Sequence, residues 1–222
     1  MLLRVPNLLQ PDAVAALRQK IDAVQPEDGR RTGHPDLKRN LQLTGDTPAA
    51  RPILNEIYRI LTGCQQLTSF AIPRTFTITV NRYETGMFYA YHSDAALMGN
   101  PGQAQPIRTD LSFTLVLSDP SEYDGGEFHV RTGYGEMVLK EPAGTLICYP
   151  SNMPHRVETI TRGARVSAIG WIQSLIRNPE QRMVLLQLGQ LHHTVTGGDV
   201  THAQEQSFST LRENLMRMWA ES

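Results

Sequence analysis

Cysteine is scarce in this chain. Cys64 and Cys148 are the two present in 222 residues, in dissimilar contexts and outside any Cys-x-x-Cys motif. That excludes a disulfide framework and leads us to expect two reduced thiols in a reducing compartment. An excess of charge of either sign is also missing. Lys and Arg number 21 against 22 Asp and Glu, for a net charge of -1, so neither nucleic acid nor an anionic membrane is expected as a partner. No apolar run is long enough to span a bilayer. The amino-terminal Met1-Leu2-Leu3-Arg4-Val5-Pro6 carries no basic segment followed by an apolar stretch and cleavage site, so no signal peptide is expected. A cytoplasmic location follows by elimination. There is no internal repeat and no low-complexity tract.

What is present is enough for a core: 40% of residues are hydrophobic, in a length suited to one domain with extensions. Pro11-Asp12 opens a segment with Leu17, Ile21 and Val24 at helical spacing, proline in its first turn and the acid at the positive end of the dipole. Residues 26–45 are polar and turn-rich and read as a long surface excursion, with His34 given no role. A second helix is expected over about 52–62, with Ile53, Ile57, Ile60 and Leu61 along one side. From Pro73 the period changes to two. Thr75, Thr77 and Thr79 alternate with Phe76, Ile78 and Val80, and Leu111, Phe113, Leu115 and Leu117 with Ser112 and Thr114. Shorter runs at 127–131, 136–140, 144–149, 155–161 and 164–174 are separated by turn signals, among them Asp124-Gly125-Gly126 and Arg162-Gly163. Many short strands with glycine-rich turns predict a sandwich or jelly roll. Residues 95–108 form a longer gap that is a candidate lid. Helical spacing returns after Pro179, with Met183, Leu186 and Leu188, then Phe208, Leu211, Leu215, Met218 and Trp219. A polar spacer containing His192, His193 and His202 lies between and is expected to be solvated.

Within that pattern, His92-Ser93-Asp94, His155 and Arg165 form an ordered set. Two imidazoles and one carboxylate on one face of a metal leave the opposite face open, the ligand set of non-haem Fe(II) oxygenases. His92 and Asp94 are two apart, so on a strand they project to one face. His155 must return to them through the fold, after the turn 149–154. Arg165 follows ten residues later, sharing a face with Ser167. Two neutral His and one Asp leave Fe(II) with a site charge of +1; a dicarboxylate takes it to -1, and Arg165 restores zero. A carboxylate–guanidinium pair at ~4 Å gains about 4 kcal/mol at an effective dielectric near 20, before desolvation. A lone His-x-Asp is more often a solvated loop; the distal His and the Arg give this one its weight. Glu127 and His129 compete as a second metal pair, against the blander reading of a surface strand pair. Cys148 reads as a small buried hydrophobe.

The stretch Asn81-Arg82-Tyr83-Glu84-Thr85-Gly86-Met87-Phe88-Tyr89-Ala90-Tyr91-His92-Ser93-Asp94 resembles the metal-binding segment of prolyl 4-hydroxylase-like Fe(II)/2-oxoglutarate dioxygenases. Arg108-Thr109-Asp110-Leu111-Ser112, Leu117-Ser118-Asp119-Pro120, Tyr123-Asp124-Gly125-Gly126-Glu127, Pro142-Ala143-Gly144, Tyr149-Pro150-Ser151 and Trp171-Ile172-Gln173-Ser174 narrow the resemblance to bacterial PKHD-type hydroxylases, some of them associated with iron uptake. The resemblance runs over nearly the whole chain. It implies an α+β fold with a mainly β core: a double-stranded β-helix (jelly roll) over 73–178, preceded by a helical and loop region over 1–72 and followed by a helical subdomain over 179–222. It implies His92, Asp94 and His155 as iron ligands and Arg165 as the anchor for the distal carboxylate of 2-oxoglutarate. Tyr83 matches a tyrosine that hydrogen-bonds the cosubstrate in prolyl hydroxylases; its other reading is a strand aromatic packed in the core. Tyr89 matches a further aromatic position. Ser167 completes an Arg-x-Ser pair that relatives of this type need not keep. The segment 38–42 resembles one that lines the substrate entrance.

The activity so implied is hydroxylation of an unactivated C–H bond with Fe(II), 2-oxoglutarate and O2, and L-ascorbate as reductant. The substrate is peptidyl proline or lysine, or a small molecule tied to iron acquisition. The alternatives are a non-enzymatic module sensing iron or 2-oxoglutarate on the same fold, and a cupin-like enzyme with another metal, although the usual His-x-His is lacking. The carboxy-terminal helices could support a homodimer.

Overall fold

The period-two segments form two facing antiparallel sheets. The computed structural model describes residues 1–32, 36–98, 106–196 and 201–221. The chain begins with β1 (Leu3–Val5), α1 (Pro11–Asp22), β2 (Glu27–Asp28), β3 (Lys38–Arg39) and β4 (Leu41–Leu43). Helices α2 (Arg51–Gly63) and α3 (Gln65–Ala71) lead into β5 (Pro73–Glu84) and β6 (Phe88–His92). Then come β7 (Leu97–Met98), β8 (Ile107–Arg108), β9 (Leu111–Val116), β10 (Tyr123–Gly125), β11 (Phe128–Thr132) and β12 (Gly135–Leu139). The barrel closes with β13 (Leu146–Pro150), β14 (His155–Val157) and β15 (Ile160–Ser174), and α4 (Pro179–Thr196) and α5 (His202–Trp219) follow. The larger sheet runs β1-β13-β9-β15-β5-β4-β2, with β10 added to β15; the smaller runs β12-β11-β14-β6-β3. This is the expected jelly roll, with helices before and after it.

Alternation decides what each face of the larger sheet meets. Val80 of β5, Phe113 and Leu115 of β9, Leu146 and Cys148 of β13, and Val166, Ala168 and Ile172 of β15 pack with Leu17, Ile21, Ile57, Leu61 and Leu67 of the amino-terminal helices. The residues between them face the smaller sheet. Tyr83, Ile147 and Tyr149 join Phe128, Val130 and Val157 in a second cluster, and the polar set Asn81, Ser112, Thr114, Arg165 and Ser167 lies on the same inner side. The sheet is therefore apolar outward, under helices, and increasingly polar inward. Both cysteines are free and buried, as reduced structural thiols should be.

Several sequence expectations need correction. The described residues of 26–45 are not a surface excursion. In them β3 pairs with β6 and β4 with β5, so this segment extends both sheets. Such two- and three-residue strands carry too little alternation to be read locally. Helix α3 was not expected; it is about two turns long and is capped by Ile72, whose φ of 44° is left-handed. Arg162-Gly163 is no turn but lies within β15. Gly163, at φ 74°, has Glu122 O 2.0 Å from where a Cβ would sit, so its lack of a side chain lets β10 close on β15. The spacer between the last helices is shorter than expected, because α4 continues to Thr196 and α5 starts at His202 behind a Thr201–Gln204 capping box. His192 is not simply solvated; it contacts Glu205 Oε2 at 2.9 Å. His34 and residues 99–105 of the candidate lid lie outside the described residues. The described ends of that segment pair as β7 with β8. Among the described residues no helix is long and apolar enough to cross a membrane.

The carboxy-terminal helices hold to the core through Ile72, Ile176 and Leu185, with Leu215 and Trp219 packed against them. A polar clasp adds to this. Arg108 Nη1 donates to Glu221 Oε2 at 2.6 Å, while its Nε and Nη2 take both oxygens of Asp110 at 2.7 and 3.0 Å. Glu221 N also donates to Leu175 O at 2.9 Å.

Candidate metal and cosubstrate site

A cross-strand pair and a turn assemble the donor set. His92 closes β6 and His155 opens β14, and the two are Cα partners in the antiparallel ladder, so both rings enter the same space. Asp94 follows two residues after His92, and its N–H donates to Ser151 O at 3.2 Å, tying it to the turn that delivers His155. One ligand atom from each of His92, Asp94 and His155 lies within 4.8 Å of the others. The two Nε2 atoms stand 3.8 and 3.9 Å from Asp94 Oδ1, too far for hydrogen bonds and suited to a shared central ion. Each Nδ1 sits by a backbone carbonyl, Ala90 O at 2.8 Å for His92 and Met153 O at 2.9 Å for His155. A carbonyl can only accept, so Nδ1 carries the proton and each Nε2 presents its lone pair inward. Burial, then the neighbouring His155, pull the His92 pKa down to about 4, which keeps its imidazole neutral and able to ligate. Tyr89 stacks on His92 with ring centroids 3.6 Å apart.

Asp94 has a partner that sequence reasoning missed. Ser112 Oγ donates to Asp94 Oδ2 at 2.5 Å. Ser151 Oγ lies 2.8 Å from the same hydroxyl; Ser112 has one proton, so Ser151 is the donor there. The cue was available, since Ser112 is one of the small polar residues that alternate with apolar ones on β9.

Arg165 is 4% exposed and faces the same cavity. It pairs across strands with Tyr83 and its guanidinium carbon is 6.0 Å from the Tyr83 ring centroid. Its Nη1 donates to Ser167 Oγ at 3.0 Å. Among the described residues no carboxylate is in ion-pair range of it. A buried guanidinium with so few partners is a ready acceptor for an anion. Tyr83 lines the cavity and is 2% exposed, with burial pushing its phenol well above the ordinary range. The cavity measures roughly 600 Å³, and His92, Asp94, His155, Arg165 and Tyr83 are all in its wall. The competing pair does not form: Glu127 accepts from Lys140 Nζ at 3.1 Å and His129 contacts Glu136. Among the described residues one metal-competent cluster exists, the one above.

Two histidines and one aspartate at the mouth of a double-stranded β-helix define a non-haem metal oxygenase. Comparisons with known proteins agree. The family model of the 2OG-Fe(II) oxygenase superfamily matches residues 78–173. PKHD-type hydroxylases from Xanthomonas campestris pv. campestris and Bordetella pertussis are 39% and 37% identical to the chain, each alignment covering 100% of both sequences. In fold, the chain is similar to a Pseudomonas putida prolyl-4-hydroxylase, with a TM-score of 0.56 at 22% identity over 78% of this chain and 92% of that one. A prolyl hydroxylase from Trichoplax adhaerens gives 0.57 at 14% identity over 83% and 86%. The chain belongs to the PKHD-type hydroxylases of the 2OG-Fe(II) oxygenase superfamily and is a 2-oxoglutarate-dependent dioxygenase. Iron and 2-oxoglutarate are thereby implied, and the residues fit them: neutral imidazoles and a carboxylate for the metal, a buried and underused guanidinium for the dicarboxylate.

Proposed function

We propose that the chain hydroxylates an unactivated C–H bond, with His92, Asp94 and His155 holding Fe(II) and Arg165 holding the distal carboxylate of 2-oxoglutarate. The observation that carries this reading is the placement of three inward-facing donor atoms within 4.8 Å of one another in the same cavity as a buried arginine with no counter-ion among the described residues. Bound Fe(II) would supply dioxygen activation, one oxygen atom passing to succinate and the other to the substrate, with release of carbon dioxide. The chain's own groups do the rest. The Nδ1 carbonyl bonds hold each imidazole in one tautomer, and Ser112 fixes the carboxylate so that a single oxygen faces the ion. Ser167 orients the guanidinium, and Tyr83, packed in the inner core and also on the cavity wall, offers a phenol toward the cosubstrate. The aromatic wall of Tyr89, Phe128 and Tyr149 limits water at the reacting centre.

The test is succinate release by purified protein given Fe(II), 2-oxoglutarate, ascorbate and oxygen, followed by a search for molecules that gain one oxygen atom. Succinate dependent on both iron and 2-oxoglutarate is expected. A protein that binds both but releases none would instead be the sensing module.

A further inference from the structure

In the wall of the same cavity, Lys38 is a second buried cation, and this inference rests on the oxygenase reading above. Lys38 is 4% exposed. It is carried by the short β3, opposite Tyr89. Its Nζ lies 5.4 Å from the Tyr89 ring centroid, and that ring is itself stacked on His92, so the ammonium is one aromatic ring removed from a metal ligand. Among the described residues its hydrogen bond goes to Thr32 Oγ1 at 2.7 Å. Thr32 Oγ1 is 2.7 Å from Gln42 Oε1, and Gln42 Nε2 donates to Asn81 Oδ1 at 2.8 Å, so a polar chain running from exposed Thr32 to buried Gln42 and Asn81 holds the amine in place. No carboxylate lies in ion-pair range of Lys38 among the described residues. The groups around it are Asp94, the His92 ring and the Tyr89 ring.

A desolvated ammonium with unused N–H donors is costly unless an anion completes it. Asp94 is committed to Ser112 and the metal position, and the distal carboxylate of the cosubstrate has Arg165. We propose that Lys38 anchors the substrate itself, and that the substrate is a small carboxylic acid whose carboxylate sits on Nζ while a nearby carbon faces the metal. A cavity of roughly 600 Å³ with a buried cation in its wall suits a small molecule. Oxidation next to a fixed carboxylate also accounts for an amine placed beside the Tyr89 ring that stacks on His92.

The experiment uses acetate as the probe and acetamide, its uncharged counterpart, as the control. Full-length protein is loaded with Zn(II), a diamagnetic ion for the same donors, and saturating 2-oxoglutarate. Saturation-transfer NMR then reads the methyl protons of each probe. Wild type should bind acetate in preference to acetamide with 2-oxoglutarate still present. Lys38→Met should lose at least fivefold of the acetate signal, Lys38→Arg should retain it, and Lys20→Met, an exposed lysine paired with Glu56, should leave it unchanged. Lys38→Gln keeps a donor for Thr32 and repeats the test should the methionine variant not fold. Equal signals for acetate and acetamide, an undiminished signal in Lys38→Met, or an acetate signal that 2-oxoglutarate abolishes would each overturn the proposal. Failure of 2-oxoglutarate to bind the metal-loaded wild type would instead overturn the oxygenase reading, and is read from its own signals in the same tubes.

Discussion

Ser112 donates its hydroxyl to Asp94 Oδ2 at 2.5 Å, leaving Oδ1 as the carboxylate oxygen that faces both imidazoles. A metal ligand so oriented loses affinity when its support is removed, by about 10- to 100-fold in comparable sites. Ser112→Ala should weaken Fe(II) binding in that range without unfolding the protein. Metal titration under anaerobic conditions measures it, and unchanged affinity would show that Asp94 needs no support.

His155→Ala should remove one of three donors and abolish metal binding and succinate release together. Metal analysis of the purified variant beside a turnover assay checks this. Full iron-dependent turnover in the variant would remove His155 from the ligand set.

Arg165→Met should separate the two cofactors. Losing the partner of a buried, hydrogen-bonded charge costs about 2–5 kcal/mol, so the KM for 2-oxoglutarate should rise well over tenfold while metal affinity stays near wild type. Parallel loss of both would mean that the arginine supports the fold and not the cosubstrate.

Gly170 sits on β15 where a Cβ would fall 1.9 Å from Thr77 O and 2.8 Å from the Phe113 ring. The obstacle is backbone on the paired strand, which cannot yield without breaking the β15–β5 ladder. Gly170→Ala should destabilise by about 1–3 kcal/mol or more, read as a lower denaturant midpoint. A midpoint equal to wild type would mean that the strands separate freely here.

Burial lowers the Lys38 pKa to about 8, with Asp94 opposing the fall, against an ordinary value of 10.5. The folded state therefore gives up this proton at lower pH than the unfolded chain does. Between pH 8 and 10.5 the unfolded state binds more protons, so this group's contribution to stability rises with pH. The stability of wild type relative to Lys38→Met should increase across that window and be flat below it. Denaturant unfolding of both proteins at stepped pH gives the difference, and a difference independent of pH would place the amine in water.

Much of this was legible in the chain because alternation and facing are the same physical fact. Thr77, Thr79, Phe113 and Leu115 announced a sheet with one apolar face, and His-x-Asp on a strand can only present both side chains to one side. The return of His155 is contained in no local pattern; it follows from a jelly roll whose strands come back to one mouth, and the family resemblance implies the same ligand. The wall of Lys38, Gln42 and Asn81 was not legible as a wall. Its strands β3 and β4 are two and three residues long and are held by β6 and β5, far along the chain. Ser112 was visible as a small polar residue in a strand, but its role depends on β9 meeting the loop after β6. A capping signal hid the true start of α5, because Thr201 and Gln204 look like polar spacer until their reciprocal hydrogen bonds are seen.

Arg108 gathers the tail of the chain, through Glu221, onto Asp110. The neighbouring Thr109 holds Ala95 O at 2.6 Å, one residue past Asp94, and Asp110 O receives Ser151 N at 3.4 Å. Glu221 thus joins, through Arg108, the hydrogen-bond network that braces the segment after Asp94. A protease that nipped the last turn of α5 would leave every ligand in place and still slacken the scaffold that aims them.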